Sequence, residues 1–319
     1  MSSTTSMGTG AARPGRMTEP EFRSLYQRLR DGVPWGPDDR RGALNYLTPV
    51  ETLAAAQEVR LGRTVSLAAP VEVRVTPDDP DPARHLMKEP PAQAGPSLAF
   101  NMDRIEMNVH GNVDSHIDAL CHVIFDGELY NGVDQAAAVT ERGATELSVG
   151  PAAEGVVGRG VLLDVPRSRG MPWLEPGDDV TVDDLLAAER DQGVRVGRGD
   201  ILLVRVGHRR RRDELGAWDV GAARAGLHPR VMPLLAERQV AILGCDSNSD
   251  TAPSATDAVD FPVHVLAINA LGIMMLDYLQ FEDLVPVCEE AERWSFLCVI
   301  APLRLPTGTG SPINPIAVL

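Results

Sequence analysis

The stretch His110-Gly-Asn-Val-Asp-Ser-His116-Ile-Asp118-Ala-Leu-Cys-His122 gathers three imidazoles, an amide and two carboxylates within thirteen residues. Read as a strand over residues 109–118, its side chains alternate between two faces. One face then carries His110, Asn112, Asp114, His116 and Asp118, and the other Val109, Gly111, Val113, Ser115 and Ile117. A solvated strand shows the same alternation, but its wet face usually holds Lys, Thr or Arg rather than ligand-type groups. His116 and Asp118 can turn a nitrogen and an oxygen towards one cation, a pairing that suits Zn²⁺ or Mn²⁺. His122 follows after a turn, where an imidazole can serve as general acid or base. Spacing alone leaves a metal site and an ordinary polar strand both open.

Downstream, short apolar runs recur at residues 160–164, 200–205 and 240–244, with helical segments at 182–189 and 229–238. Such runs between helices predict buried strands of an α/β core. Upstream, residues 17–31 predict a helix with Thr18 as N-cap and Glu21 completing the box. Residues 47–61 predict a second, capped by Thr48, opened by Pro49 and ended by Gly62. Residues 75–97, rich in Pro, Asp and Ala, read as an exposed loop placed to cover a site. Residues 1–16 are small and polar, which reads as a disordered leader. The expected organisation is a single α/β domain over 17–319, with a helical extension over about 17–65.

The net charge of −15 argues against nucleic acid as a partner, because phosphate binding needs a concentrated basic surface. The one basic run, Arg209 to Arg212, precedes Asp213 and Glu214 and reads as a solvated loop. No apolar run approaches the roughly 20 residues that span a bilayer, and no secretory signal is evident, so a cytoplasmic protein is expected. Four cysteines without a CxxC pair fit reduced thiols, Cys121 among them as a packing residue. His85, His208 and His228 read as surface or structural histidines.

The segment SHIDALCHVIFDGELYNG, residues 115–132, resembles the signature HxGTHxDxPxH of the metal-dependent cyclase family, which includes kynurenine formamidase-like and isatin hydrolase-like hydrolases. It is most similar to the longer branch of that family. Trp35 to Asp39, Gly42 to Pro49, Gly244 to Asn248 and Gly308 to Pro315 resemble the family's other blocks in the same order. The resemblance implies an α/β fold with a β-barrel-like (swivelling β/β/α) core, helices outside it, and a homodimer or homotetramer. It implies a divalent metal, Zn or Mn, held by the motif's first two histidines and its aspartate, with the third histidine as general base or acid. His116, Asp118 and His122 match three of these positions. Asn112 stands where the first histidine belongs, so His110, Asp114 or Asn112 itself is expected to fill that place. His264 and Asp277 match a second metal site or pocket position, with a helix over 264–271, a break at Gly272 and a strand from 273. Without the resemblance they read as a helix-start histidine and a cap.

Asp246 and Asn248 are pocket or turn residues. The implied reaction is hydrolysis of an amide or lactone in a small carbonyl compound, with His122 relaying the proton. The alternatives are a non-hydrolytic cyclase or dehydratase acting on a natural-product intermediate with an altered or absent metal, and a binding fold without turnover.

Overall fold

The computed structural model describes residues 15–88, 98, 100–257 and 259–319. Its centre is four parallel strands, β5 (Val156–Asp164), β6 (Ile201–Arg205), β7 (Ile242–Cys245) and β8 (Met274–Asp277). Every residue of β6, β7 and β8 is buried, as expected for parallel strands covered on both faces. Antiparallel strands extend the sheet on both sides. Beyond β5 lie β9 (Ser295–Ile300), β11 (Ile316–Val318) and β1 (Thr64–Ser66); beyond β8 lie β4 (His116–Asp118) and β10 (Gly310–Pro312). The nine strands curl into a half-barrel with helices outside, the expected fold class. Among the described residues no helix is long and apolar enough to cross a membrane.

The helix starts follow their caps. Helix α1 (Glu19–Asp31) opens on the Thr18–Glu21 box and α2 (Pro49–Ala56) on Thr48–Glu51. Helix α3 (Val182–Gln192) opens on Thr181–Asp184 and stops at Gly193 in the left-handed region. Helix α2 ends before the expected Leu61, because the Leu61 and Arg63 amides donate to the Leu319 carbonyl instead (2.9 and 3.3 Å).

Other expectations need correction. The strand expected over 109–118 exists only at His116–Asp118, and residues 109–115 form turns. The arginine run is not a solvated loop but part of helix α4 (His208–Leu215). Asp246 accepts from the Val206, Gly207 and His208 amides (2.7, 2.9 and 2.9 Å) and so fixes the entry to this helix. Arg209 is buried and donates to the carbonyls of Val113 and Tyr278, while Arg212 pairs with buried Asp78 (2.6 Å). Within the expected loop 75–97, Arg84–Lys88 forms β2, which pairs with β3 (Met102–Glu106) as an exposed hairpin; residues 89–97 lie outside the described residues. The leader over residues 1–14 also lies outside them, and its expected end is too late: Arg16 pairs with Asp257 (3.1 Å).

The segment 262–277 runs much as expected. Pro262–His264 is α-helical, Val265–Ala270 continues as a π-helix, and Gly272 (φ +67°) turns the chain into β8. The Ala43 amide donates to the Gly272 carbonyl (2.8 Å). A side chain on Gly42 (φ +56°) would come within 2.2 Å of that oxygen. Glycine at both positions lets the N-terminal extension lie directly on this turn.

Candidate active site

Strand β4 lies between β8 and β10, with His116 opposite Asp277 in one direction and Pro312 in the other. His116 and Asp118 therefore share a face beside the end of β8. The His116 Nδ1–H donates to the Asp114 carbonyl (2.8 Å), which directs Nε2 towards Asp118 (3.6 Å to Oδ1). Asp118 is the hub, buried and approached by four imidazoles. His110 Nδ1 lies 2.7 Å from Oδ1, His122 Nε2 4.0 Å from the same oxygen, and His264 Nε2 3.5 Å from Oδ2. His110 also contacts Thr309 Oγ1 (3.0 Å) through Nε2 and stacks flat on His122, ring centroids 3.8 Å apart. Gly310 leaves room for this, since a Cβ there would sit 2.6 Å from the His110 ring.

The sequence-predicted second pair joins the same cluster. His264 Nδ1 contacts Asp250 (2.6 Å) and Nε2 contacts Asp277 (3.2 Å). Asp277 accepts from Asn248 Nδ2 and from Ser249 Oγ (both 2.9 Å). Asn248 is therefore a site residue, whereas Asp246 caps α4. Asn112 lines the cavity, with Oδ1 accepting from the Tyr278 hydroxyl (3.4 Å). Asp114 turns away and accepts from the Glu72 amide (2.9 Å). The period-two face cannot hold upstream of His116 once the chain turns there, so His110 reaches the site through a loop and Asp114 does not.

Burial pushes the Asp118 carboxyl up, but His116, His122, His110 and His264 together hold it well below the usual range. Burial lowers His122 to about 4 against the pull of Asp118, leaving a neutral ring near pH 7. Burial also opposes charge on His264, yet Asp277, Asp118 and Asp250 hold it well above the usual imidazole value. Cys121 is raised to about 11 by burial and offers no thiolate. His208 and His228 are buried and structural rather than superficial, whereas His85 is exposed and pairs with Asp103.

Among the described residues two groups present nitrogen and oxygen atoms close enough for one ion: His110, Asp118 and His122, and His116, Asp118 and Asp277, each with ligand atoms within 4.8 Å of one another. Among the described residues Asp118 Oδ2 is buried without a hydrogen-bond partner, a feature that a cation would satisfy. The donor set fits a divalent metal, and the contacts of His116 with the Asp114 carbonyl and of His264 with Asp250 are the outer support such ligands require. The site opens into a cavity of about 520 Å³ with a histidine–carboxylate end and an apolar wall of Val123, Ile124, Phe125, Val259, Phe261 and Val265.

Sequence reasoning missed Asp250, Tyr278 and Thr309. Thr309 sits inside the Gly308–Pro315 block that carried the resemblance, a usable signal; Asp250 and Tyr278 carry no local one.

The family profile described as "Putative cyclase" matches residues 48–250, more than half of the chain. Among solved structures, one described as a novel cyclase is similar with a TM-score of 0.81 and 30% identity, covering 92% of this chain and 99% of that one. Isatin hydrolase A from Labrenzia aggregata, bound to benzyl benzoate, gives 0.57 and 22% over 85% of this chain and 98% of its own. A "predicted metal-dependent hydrolase" from Bacillus stearothermophilus gives 0.50 and 19% over 80% and 97%. At such identities the last two share the fold. No curated protein matches the chain in sequence. Profile and fold, meeting on the segment that holds His116, Asp118 and His122, make this chain a member of the cyclase family.

Proposed function

We propose that the protein hydrolyses an amide or lactone bond in a small carbonyl compound with the help of a divalent metal, Zn or Mn. The observation that carries this reading is Asp118, a buried carboxylate met by four imidazoles at the closed end of a half-apolar cavity. His116, Asp118 and Asp277 would hold the ion, with His110 beside them. When bound, such an ion polarises a carbonyl and makes water a better nucleophile near neutral pH.

The protein's own groups do the rest. Neutral His122 accepts the proton of the attacking water at Nε2 and returns it to the leaving nitrogen or oxygen. Asp118, 4.0 Å from that nitrogen, stabilises the imidazolium in between, and the stacked His110 ring fixes its plane. The apolar wall carries the body of the substrate and keeps bulk water from the reacting carbonyl.

The rival reading, a non-hydrolytic cyclase or dehydratase with an altered site, drew on Asn112. Against it we count that His110 Nδ1 lies 2.7 Å from Asp118, which offers the site an imidazole although Asn112 lacks one. We further read the protein as a homo-oligomer, and its four buried free cysteines as fitting a reducing cytoplasm.

The test is a panel of lactams, lactones and N-acyl arylamines, with metal content measured by mass spectrometry. Stoichiometric metal, with turnover lost on chelation and in His122→Ala, supports the reading. Full turnover by metal-free protein overturns it.

A further inference from the structure

We propose that Asp260 makes this cavity selective for substrates that carry a positively charged group away from the reacting carbonyl, and against substrates that carry an anionic one. The inference rests on the cavity being the substrate site. Among the described residues sixteen line it, and they include three carboxylates but no lysine or arginine. Two of the carboxylates have partners: Asp118 is ringed by histidines, and Asp277 is held by His264, Asn248 and Ser249. Asp260 is different. It is exposed on the cavity wall, and among the described residues no hydrogen bond or ion pair engages its carboxylate.

The adjacent residue strengthens the case. Phe261 lines the same wall and is 46% exposed. Its ring already lies against one cation, with the Arg224 guanidinium carbon 5.2 Å from the centroid. Arg224 is buried and donates to the carbonyls of Asp250 and Val220 (2.8 and 3.0 Å). Those bonds hold it inside the protein, and among the described residues it makes no ion pair with Asp260. A free carboxylate beside an exposed aromatic ring favours an ammonium-type group through charge and the ring's electron-rich face. A carboxylate or phosphate at the same place meets the negative charge of Asp260, and among the described residues no lysine or arginine in the lining relieves it. The substrate then lies with its carbonyl at the histidine end, its apolar body along Val259 and Phe261, and its cationic end at Asp260.

The test uses three probes of similar size with no bond to hydrolyse: benzyltrimethylammonium, benzyl alcohol and benzylsulfonate. The quaternary cation has no lone pair to offer a metal. Binding is measured by isothermal titration calorimetry at low salt, on the metal-loaded wild type and on Asp260→Asn. The expected result is an affinity for the cation about tenfold above that for the sulfonate. Asp260→Asn is expected to weaken the cation about fivefold and leave benzyl alcohol unchanged. No binding of the cation, equal binding of cation and sulfonate, or an unaffected Asp260→Asn each overturns the proposal. Because none of the probes turns over, this result is separate from the hydrolase reading: His122-dependent turnover can survive failure here, and the charge preference can survive failure there.

Discussion

At the scale of single residues, the proposed metal site turns on His110. It contacts Asp118, bonds Thr309 and stacks on His122, and its place depends on the bare Cα of Gly310. Gly310→Ala would put a methyl into the ring and into the Ile117 carbonyl (2.6 and 2.5 Å). The expected outcome is metal affinity reduced about tenfold or more, read by calorimetric titration with Zn²⁺ or Mn²⁺. Unchanged affinity would remove His110 from the site. Asp200 gives a pH-dependent prediction. Burial pushes its carboxyl up to about 6 against the pull of Arg159 and of the Gly197 amide. A folded-state value above the unfolded one near 3.8 means that the folded protein binds this proton more tightly. The associated stability is complete below about pH 4 and is lost as pH rises through 6. Asp200→Asn is expected to shrink the fall in unfolding free energy between pH 4 and 7 by about 1–3 kcal/mol, measured by urea melts. An identical pH dependence in the variant would show that Asp200 titrates normally. At this scale His116, Asp118 and His122 were legible because they sit on or just after one short strand. Asp114 was misread because its direction depends on turns that period-two reasoning does not see, and Asp250 was invisible because only the fold brings it to His264.

Among elements, the parallel strands were legible and the arginine run was not, for one physical reason. A buried parallel strand announces itself by unbroken apolar residues, as in Ile201 to Val204, and needs no knowledge of its neighbours. The placing of α4 instead depends on groups remote in sequence: Asp246 at its first amides, Asp78 at Arg212, and the carbonyls of Val113 and Tyr278 at Arg209. Through Arg209 this helix braces both the loop that carries His110 and Asn112 and the end of β8 after Asp277. Arg209→Met keeps the bulk of the side chain but leaves the buried Val113 carbonyl without its side-chain donor and the Tyr278 carbonyl with the Ser115 hydroxyl alone. The expected cost is about 2–4 kcal/mol in a urea melt. Weaker metal binding is expected to accompany it, since the His110 loop loses its brace. A change below about 0.5 kcal/mol would mean that water or a neighbour replaces the guanidinium at no cost.

At the scale of the whole molecule, the hairpin β2–β3 is the part that the single chain does not account for. Among the described residues its two strands pair only with each other, outside the nine-stranded sheet. An isolated two-stranded ribbon is marginal in water unless its face is covered. Met87 and Ile105, 62% and 63% exposed, lie on one face of this ribbon, because His85 pairs with Ile105 and Met87 with Asp103. The proposed homo-oligomer supplies the cover: a second copy lying on this arm would remove Met87 and Ile105 from water, beside the His85–Asp103 pair on the same face. Placing charge on that face should therefore separate the subunits without touching the sheet or the histidine cluster. Met87→Glu combined with Ile105→Glu is expected to lower the mass in analytical ultracentrifugation from that of a dimer or tetramer to that of one chain. The fold is expected to survive by circular dichroism, because neither residue contributes to the buried core. A wild type that sediments as one chain would overturn the homo-oligomer. A variant that stays assembled would instead move the interface away from the hairpin and leave the exposure of Met87 and Ile105 to be explained by another partner.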